Sequence, residues 1–186
     1  MSYRHPFNRR KLMKMKHFTV MLVMLSASYA QVTVGEQAPT FFLPLESGES
    51  FYMSRVIGPK ARVDEKRQAI VISFFATWCI PCKKEIPQLE ILQKEFPNAG
   101  FYLVGVNEAK SLPSAYIAEF DVKLPVLVDR YGVVAKKYGV VDEQGVGNLP
   151  TLYIIGADGQ VAYHHVGYKE GDEKIYAGIL GDLIPE

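Results

Sequence analysis

The pattern that most constrains the fold is a nearly continuous apolar run that ends just before the two cysteines of the chain. Residues 69–76 (AIVISFFA) are mostly β-branched or aromatic, which is typical of a strand covered on both faces in a parallel sheet. Helical periodicity follows over about 81–96, and a second apolar run occupies 101–106. Two such strands joined by a helix predict a parallel β-α-β unit with a right-handed crossover.

The rest of the chain alternates further helix and strand patterns. An Asp-Gly pair at 158–159 lies between two apolar runs and predicts a β-hairpin. The predicted elements are a helix at 112–120, a strand at 125–129, a helix at 131–138, hairpin strands at 151–155 and 161–166, and a helix at about 173–183. This order predicts an α/β fold: a central mixed sheet with helices on both faces, an N-terminal extension of short strands, and an inserted helix in the middle.

Charge and cysteine content exclude several classes of protein. The 21 basic and 20 acidic residues leave a net charge of +1, which gives no reason to expect a nucleic-acid partner. Cys79 and Cys82 are the only cysteines, so a disulfide scaffold and a four-cysteine zinc site are both excluded. A chain of 186 residues is long enough for one domain with a sizeable core.

The first thirty residues have the order of a secretory signal. Six basic residues precede any acidic one, an apolar run occupies 18–25, and small residues follow at 26–30. Ser28 and Ala30 would occupy the small positions of a cleavage site. The sequence therefore predicts a signal peptide at 1–30, cleaved or retained as an anchor. The functional domain is then 31–186, secreted to the periplasm or another extracytoplasmic compartment.

The two cysteines lie where the buried strand ends and the helix begins. The first turn of a helix has free N–H groups and the positive end of the helix dipole, which favour a thiolate over a thiol. Pro81 suits this turn because its missing N–H costs nothing there. Cysteines three residues apart can close a disulfide, with Cys79 exposed and Cys82 beneath it. An attacking thiolate and a resolving thiol suffice for disulfide exchange.

Two other uses of the cysteine pair remain open at this point. A structural disulfide over so short a loop would stabilise the fold by only about 2 kcal/mol, because it removes little conformational entropy from the unfolded chain. A copper or zinc site would need further ligands. His164 and His165 are adjacent on a predicted strand and so point to opposite faces, which leaves at most one of them within reach.

The run FFATWCIPCKKEIP at 74–87 resembles the active site of thioredoxin-like proteins. More narrowly, it resembles the extracytoplasmic TlpA/ResA branch, which includes cytochrome c maturation thioredoxins. The resemblance extends across essentially all of 31–186. The stretch GEQAP at 35–39 is similar to the N-terminal extension of that branch, and Leu149-Pro150-Thr151 lies where the family carries its cis-proline loop. The resemblance implies a thioredoxin fold.

Roles follow from the resemblance position by position. It implies that Cys79 is the nucleophile, that Cys82 is the resolving cysteine, and that Trp78 flanks the disulfide. Pro150 would face the cysteines with a cis peptide bond before it, so that the neighbouring backbone can pair with an extended substrate. The substrate-binding surface implied by the family consists of Trp78, Ile80, Pro81, Leu149, Pro150 and Thr151.

One position departs from the thioredoxin pattern. Many thioredoxins carry a buried aspartate six residues before the first cysteine, where this chain has Ser73. Glu85, three residues after Cys82, matches a glutamate of ResA-type members. We therefore predict that Glu85 exchanges protons with the thiols and has a pKa raised by burial. The alternative is a solvated surface carboxylate.

The resemblance implies an enzyme that reduces specific protein disulfides, with no cofactor other than the Cys79–Cys82 disulfide and no metal. We expect a monomer, because the sequence has neither a heptad pattern nor an unexplained apolar helix. Its substrates would be the cysteines of apocytochrome c or of copper chaperones, and its electrons would come from a membrane partner of the DsbD or CcdA kind. The alternatives are a disulfide oxidase or isomerase, a copper-binding thiol chaperone, and a thiol peroxidase. A peroxidase would carry a threonine three residues before its cysteine, where Ala76 stands.

Overall fold

A computed structural model describes residues 31–62, 67–107, 112–145 and 147–184. The prediction of a signal peptide at 1–30 lies outside these residues. The elements are β1 (Phe42–Pro44), β2 (Ser50–Tyr52), α1 (Met53–Val56), β3 (Ala69–Phe75), α2 (Ile80–Glu95), β4 (Ala99–Val106), α3 (Leu112–Phe120), β5 (Val126–Asp129), α4 (Val133–Lys137), β6 (Thr151–Gly156), β7 (Val161–Val166) and α5 (Asp172–Leu183).

The central sheet has five strands in the order β5-β4-β3-β6-β7. Strands β3, β4 and β5 run parallel, whereas β6 and β7 are antiparallel to their neighbours. This is the mixed sheet that the element order predicts, and it agrees with the thioredoxin fold that the resemblance implies. Every residue of β3 is buried, as expected for the central strand of a sheet covered on both faces.

Two apolar clusters fill the two faces of the sheet. Alternate residues of β3 enter opposite clusters: Ile72 and Phe74 pack with Tyr138 after α4, whereas Val71 and Phe75 pack with α2 and α5. The period of two along a strand produces this division. The prediction of helices on both faces is therefore confirmed.

The N-terminal extension forms a small antiparallel sheet of β1 and β2. Leu43 and Phe51 point inward and join the core, and Leu45 makes a bridge to Leu127 of β5. The short helix α1, which the sequence did not predict, follows directly and buries Met53. The extension thus covers one end of the central sheet.

The carboxyl ends of β3, β4 and β5 lie at one edge of the sheet, and α2 begins there. Asp129 at the end of β5 is buried and accepts hydrogen bonds from the backbone N–H groups of Val133 and Ala135, at 2.9 and 2.8 Å. It therefore caps α4 from the preceding strand. This edge of the sheet carries the cysteines.

Candidate active site

Cys79 and Cys82 form a disulfide across the first turn of α2, with their Cα atoms 5.3 Å apart. Cys79 is the N-cap residue, and the backbone N–H of Cys82 donates a hydrogen bond to its Sγ at 3.2 Å. Pro81 lies in the first turn, where no N–H is needed. The N–H group aimed at the Cys79 sulfur would stabilise a thiolate on that atom once the disulfide is reduced.

Both sulfurs are shielded, and the residues beside them are exposed. Cys82 is fully buried as predicted, but Cys79 is only 3% exposed, so the prediction of an exposed first cysteine is wrong. Trp78 and Ile80, on either side of Cys79, are 73% and 69% exposed. The buried disulfide is therefore flanked by two exposed apolar side chains.

The loop before β6 lies beside the cysteines. The Leu149–Pro150 peptide bond is cis, as the resemblance implies, and Leu149 packs against the apolar cluster that contains both cysteines. The carbonyl oxygen of Pro150 accepts a hydrogen bond from the N–H of Gly167 at 2.8 Å. Thr151 begins β6 opposite Phe74 of β3. Strand pairing therefore brings this loop to the sheet edge where β3 ends and the active-site turn begins.

Glu85 is fully buried, one helical turn beyond Cys82 on α2. Its Oε2 accepts a hydrogen bond from the Ser73 hydroxyl at 2.6 Å, and its Oε1 receives a longer contact of 3.5 Å from the Tyr176 hydroxyl. The alternative of a solvated surface carboxylate is thus excluded. Ser73 occupies the strand position of the thioredoxin aspartate and contacts a carboxylate supplied by α2.

The surroundings of Glu85 raise its pKa from 4.5 to about 7. Burial is the largest cause because it penalises the charged form. The hydrogen bonds from Ser73 and Tyr176 oppose the rise, and the nearby carboxylate of Asp172 adds to it. A carboxyl group with a pKa near 7 can both accept and return a proton at neutral pH, as an acid-base residue requires.

Ser73→Ala tests the contact between β3 and Glu85. The substitution removes the short hydrogen bond to the carboxylate, so we expect the pKa of Glu85 to rise further, by about one unit. Carbon-13 NMR of the glutamate carboxyl groups across pH measures this midpoint, with Glu85→Gln identifying the resonance. Ser73→Thr, which keeps the hydroxyl, serves as the control. An unchanged or lowered midpoint in Ser73→Ala would contradict the assignment.

Three residues near Glu85 were not selected from the sequence. Tyr176 and Asp172 lie one turn apart on α5, and Asp172 Oδ2 is 3.1 Å from Nε2 of His165 on β7. Each residue type alone is common on surfaces, so no local motif marks them. The strand register pairs Leu152 with both Ser73 and His165 and so aligns these two residues across the sheet, whereas no sequence signal marks Tyr176 and Asp172.

The two histidines of the hairpin point to opposite faces, as predicted. His164 stacks near Tyr153 on one face, and His165 lies near Tyr176 on the other. Within the described ranges, no group of three or more His, Cys, Asp or Glu side chains could hold a metal ion. In that same part of the chain, no helix has the length and apolar character needed to span a bilayer.

Comparisons with known proteins agree with this fold and site. Thioredoxin-like protein YneN of Bacillus subtilis (strain 168) is 32% identical over 149 residues, covering 76% of this chain and 78% of the relative. Thiol-disulfide oxidoreductase ResA of the same organism is 30% identical over 137 residues, covering 73% and 68%. A putative thiol:disulfide interchange protein DsbE from Chlorobium tepidum shares the fold, with a TM-score of 0.69, 22% identity, and coverage of 82% and 99%.

The fold, the cysteine pair and these relatives define the class of the protein, which is a thiol–disulfide oxidoreductase of the thioredoxin-like, TlpA/ResA type. The sequence profile described as "AhpC/TSA family" matches residues 34–164, and the chain belongs to that family. The matched range begins in the N-terminal extension and ends in β7. It therefore includes the active-site turn and the cis-proline loop.

Proposed function

We propose that this protein reduces disulfides of other proteins by dithiol exchange through Cys79 and Cys82, with Glu85 as the acid-base residue. The observation that carries the proposal is the arrangement of the three groups. A cysteine pair caps the start of α2, and a fully buried carboxyl group with a pKa of about 7 lies one turn beyond it. The name of ResA, a thiol-disulfide oxidoreductase, supports the same activity.

The reaction begins with the reduced pair. The Cys79 thiolate attacks one sulfur of the substrate disulfide; a mixed disulfide forms, and the other substrate sulfur leaves as a thiolate. Cys82 then passes its proton to Glu85 and attacks the Sγ atom of Cys79. This second step forms the Cys79–Cys82 disulfide and releases the remaining substrate thiolate. Two electrons have moved to the substrate, and the proton on Glu85 is returned to solvent or to a product thiolate.

The surface around Cys79 is suited to an extended, partly apolar substrate. Trp78 and Ile80 are exposed beside the disulfide, and Pro81 is exposed in the first turn of α2. Leu149, Pro150 and Thr151 lie at the neighbouring strand end, where a backbone could add to the loop as a short strand. We assign substrate binding to these six residues.

The compartment and partners belong to the same proposal. The order of basic, apolar and small residues at 1–30 favours export from the cytoplasm. In the extracytoplasmic compartment, the substrates would be disulfides of apocytochrome c or of copper chaperones. Regeneration of the dithiol needs two electrons from a donor, for which we propose a membrane protein of the DsbD or CcdA kind.

Two transfer assays on one preparation test the direction of exchange. The pre-reduced protein is mixed with insulin, and the disulfide form is mixed with reduced, unfolded ribonuclease. We expect rapid reduction of insulin and little oxidation of ribonuclease, with Cys79→Ser inactive in both. Complete oxidation of ribonuclease, with insulin left intact, would contradict the proposal and favour a disulfide oxidase.

A further inference from the structure

A second carboxylate lies close to Glu85, at the start of α5. Asp172 is 9% exposed, and its Oδ2 atom accepts a hydrogen bond from the backbone N–H of Lys169 at 2.7 Å. The same oxygen is 3.1 Å from Nε2 of His165, whose side chain is 29% exposed. Two contacts therefore fix this carboxylate in place, and one of them comes from a residue that can carry a positive charge.

Tyr176 lies between this pair and Glu85. Residues 172 and 176 are four apart on α5 and so share one face of the helix. The Tyr176 hydroxyl is 3.5 Å from Glu85 Oε1, and its ring meets the His165 ring edge-on, with the centroids 6.2 Å apart. Tyr176 thus contacts both the carboxyl group of Glu85 and the ring of His165. Burial and the charges of Glu85 and Asp172 raise the pKa of that tyrosine, which keeps it protonated as a donor.

Ser73 on β3 and Tyr176 on α5 contact Glu85, and the charges of Asp172 and Glu85 act on each other's surroundings, which include Tyr168 in the loop between β7 and α5. Tyr163 and His165 on β7 pack their rings against the ring of Tyr176. Cys82 lies one turn before Glu85 on α2. Tyr168 hydrogen-bonds Glu173 at 3.1 Å, which holds that carboxylate on the loop side of the helix. Of the acidic side chains near this cluster, Asp172 is the one whose charge acts on Glu85.

We propose that Asp172 and His165 are positioning residues for the exchange reaction: the charge on Asp172, offset by His165 when its ring is protonated, sets how readily Glu85 accepts the Cys82 proton. The inference rests on the proposed role of Glu85. A nearby negative charge raises the free energy of ionising a second carboxyl group, so that this group binds its proton more tightly. The pair would therefore fix the pH range over which the resolving step runs.

A structural role for Asp172 predicts something different. An acidic residue in the first turn of a helix stabilises the helix, and loss of the residue would lower stability without moving the titration of Glu85. Asp172→Asn keeps an oxygen that can accept the Lys169 hydrogen bond but removes the charge. His165→Gln keeps an N–H donor for Asp172 but can never be charged. The two substitutions therefore separate charge from packing.

The test follows the Glu85 carboxyl resonance across pH in the full-length protein. We expect Asp172→Asn to lower its midpoint by about half a pH unit, a threefold change in proton affinity, and His165→Gln to raise it. The acid limb of the pH profile for insulin reduction should move in the same directions. The control is Asp182→Asn, an exposed carboxylate ten residues further along α5, about 15 Å away along the helix axis.

Midpoints for Asp172→Asn and His165→Gln that equal the wild-type value would overturn the inference. A midpoint that shifts in Asp172→Asn but not in His165→Gln would overturn the assignment of His165. A midpoint that shifts equally in Asp182→Asn would contradict the claim that the effect is local to Asp172. The titration is read directly from the carboxyl group, so it does not depend on activity. Failure of Glu85→Gln to slow exchange would instead count against the proposed function and leave the measured coupling in place.

Discussion

Replacing Cys79 with serine should abolish disulfide exchange, with a loss of rate on the order of a thousandfold or more. A serine hydroxyl is scarcely ionised at neutral pH, whereas the thiolate is the attacking species in exchange. The N–H of Cys82 points at the Cys79 sulfur, so the thiolate that this N–H favours is the one lost. Insulin reduction by the pre-reduced variant measures the effect.

Replacing Cys82 should have a different result. Cys82→Ser keeps the Cys79 thiolate but removes the thiol that resolves the mixed disulfide, so we expect one attack followed by a trapped covalent complex. Mass spectrometry of the product detects the complex, and dithiothreitol should release it. Equal inactivity of the two variants, with no complex from Cys82→Ser, would mean that the order of attack assigned here is wrong.

Glu85→Gln should slow the resolving step by roughly a hundredfold, because a neutral amide cannot accept the Cys82 proton. The mixed disulfide should accumulate as a result, and the inflection of the rate near pH 7 should disappear. As a control, Glu95→Gln changes an exposed carboxylate on the same helix, and it should leave the rate of the resolving step and its pH dependence unaltered. Wild-type rates and an unchanged pH profile in Glu85→Gln would show that the buried carboxyl group takes no part in proton transfer.

The same substitution should stabilise the fold at alkaline pH. Because the pKa of Glu85 is about 7 in the folded protein against 4.5 in the unfolded chain, the folded state binds more protons between these values. Stability therefore falls as pH rises from about 4.5 to 7, and the full cost, on the order of 3 kcal/mol, is present above pH 7. Glu85→Gln lacks this cost.

Urea unfolding of the oxidised proteins at pH 5 and pH 8 measures that difference. We expect the variant and the wild type to be similar at pH 5 and the variant to be more stable at pH 8. A difference in the free energy of unfolding that does not change with pH would contradict the raised pKa. Greater stability at pH 8 together with slower exchange in Glu85→Gln would show that the buried carboxyl group lowers stability and serves the reaction.

The order of elements was predictable because each local pattern agrees with the fold. The apolar run at 69–76 became the central strand β3, and the Asp-Gly pair at 158–159 connects β6 and β7. Predicted ends differ from the observed ends by at most two residues, a difference that is usual at helix and strand termini. The short helix α1 was missed because four residues are too few to show a helical period.

The residues of the site were predictable to different degrees. The cysteine pair is a local motif, and Glu85 is predictable from its spacing to Cys82 together with the resemblance to ResA-type members. Burial of Cys79 was not predicted, because its exposure depends on how the side chains around the active-site turn pack. The contact between Asp172 and His165 depends on the position of α5 over β7, which no local pattern specifies. Long-range packing, and not residue type, decides these features.

The equilibrium reduction potential of the Cys79–Cys82 pair distinguishes a protein that reduces disulfides from one that forms them. The protein is equilibrated in dithiothreitol and glutathione buffers, and the dithiol fraction is measured by thiol labelling. A protein-disulfide reductant should have a potential near or below that of thioredoxin, about −270 mV. A value near that of the strong oxidant DsbA, about −120 mV, would contradict the account and indicate disulfide formation instead.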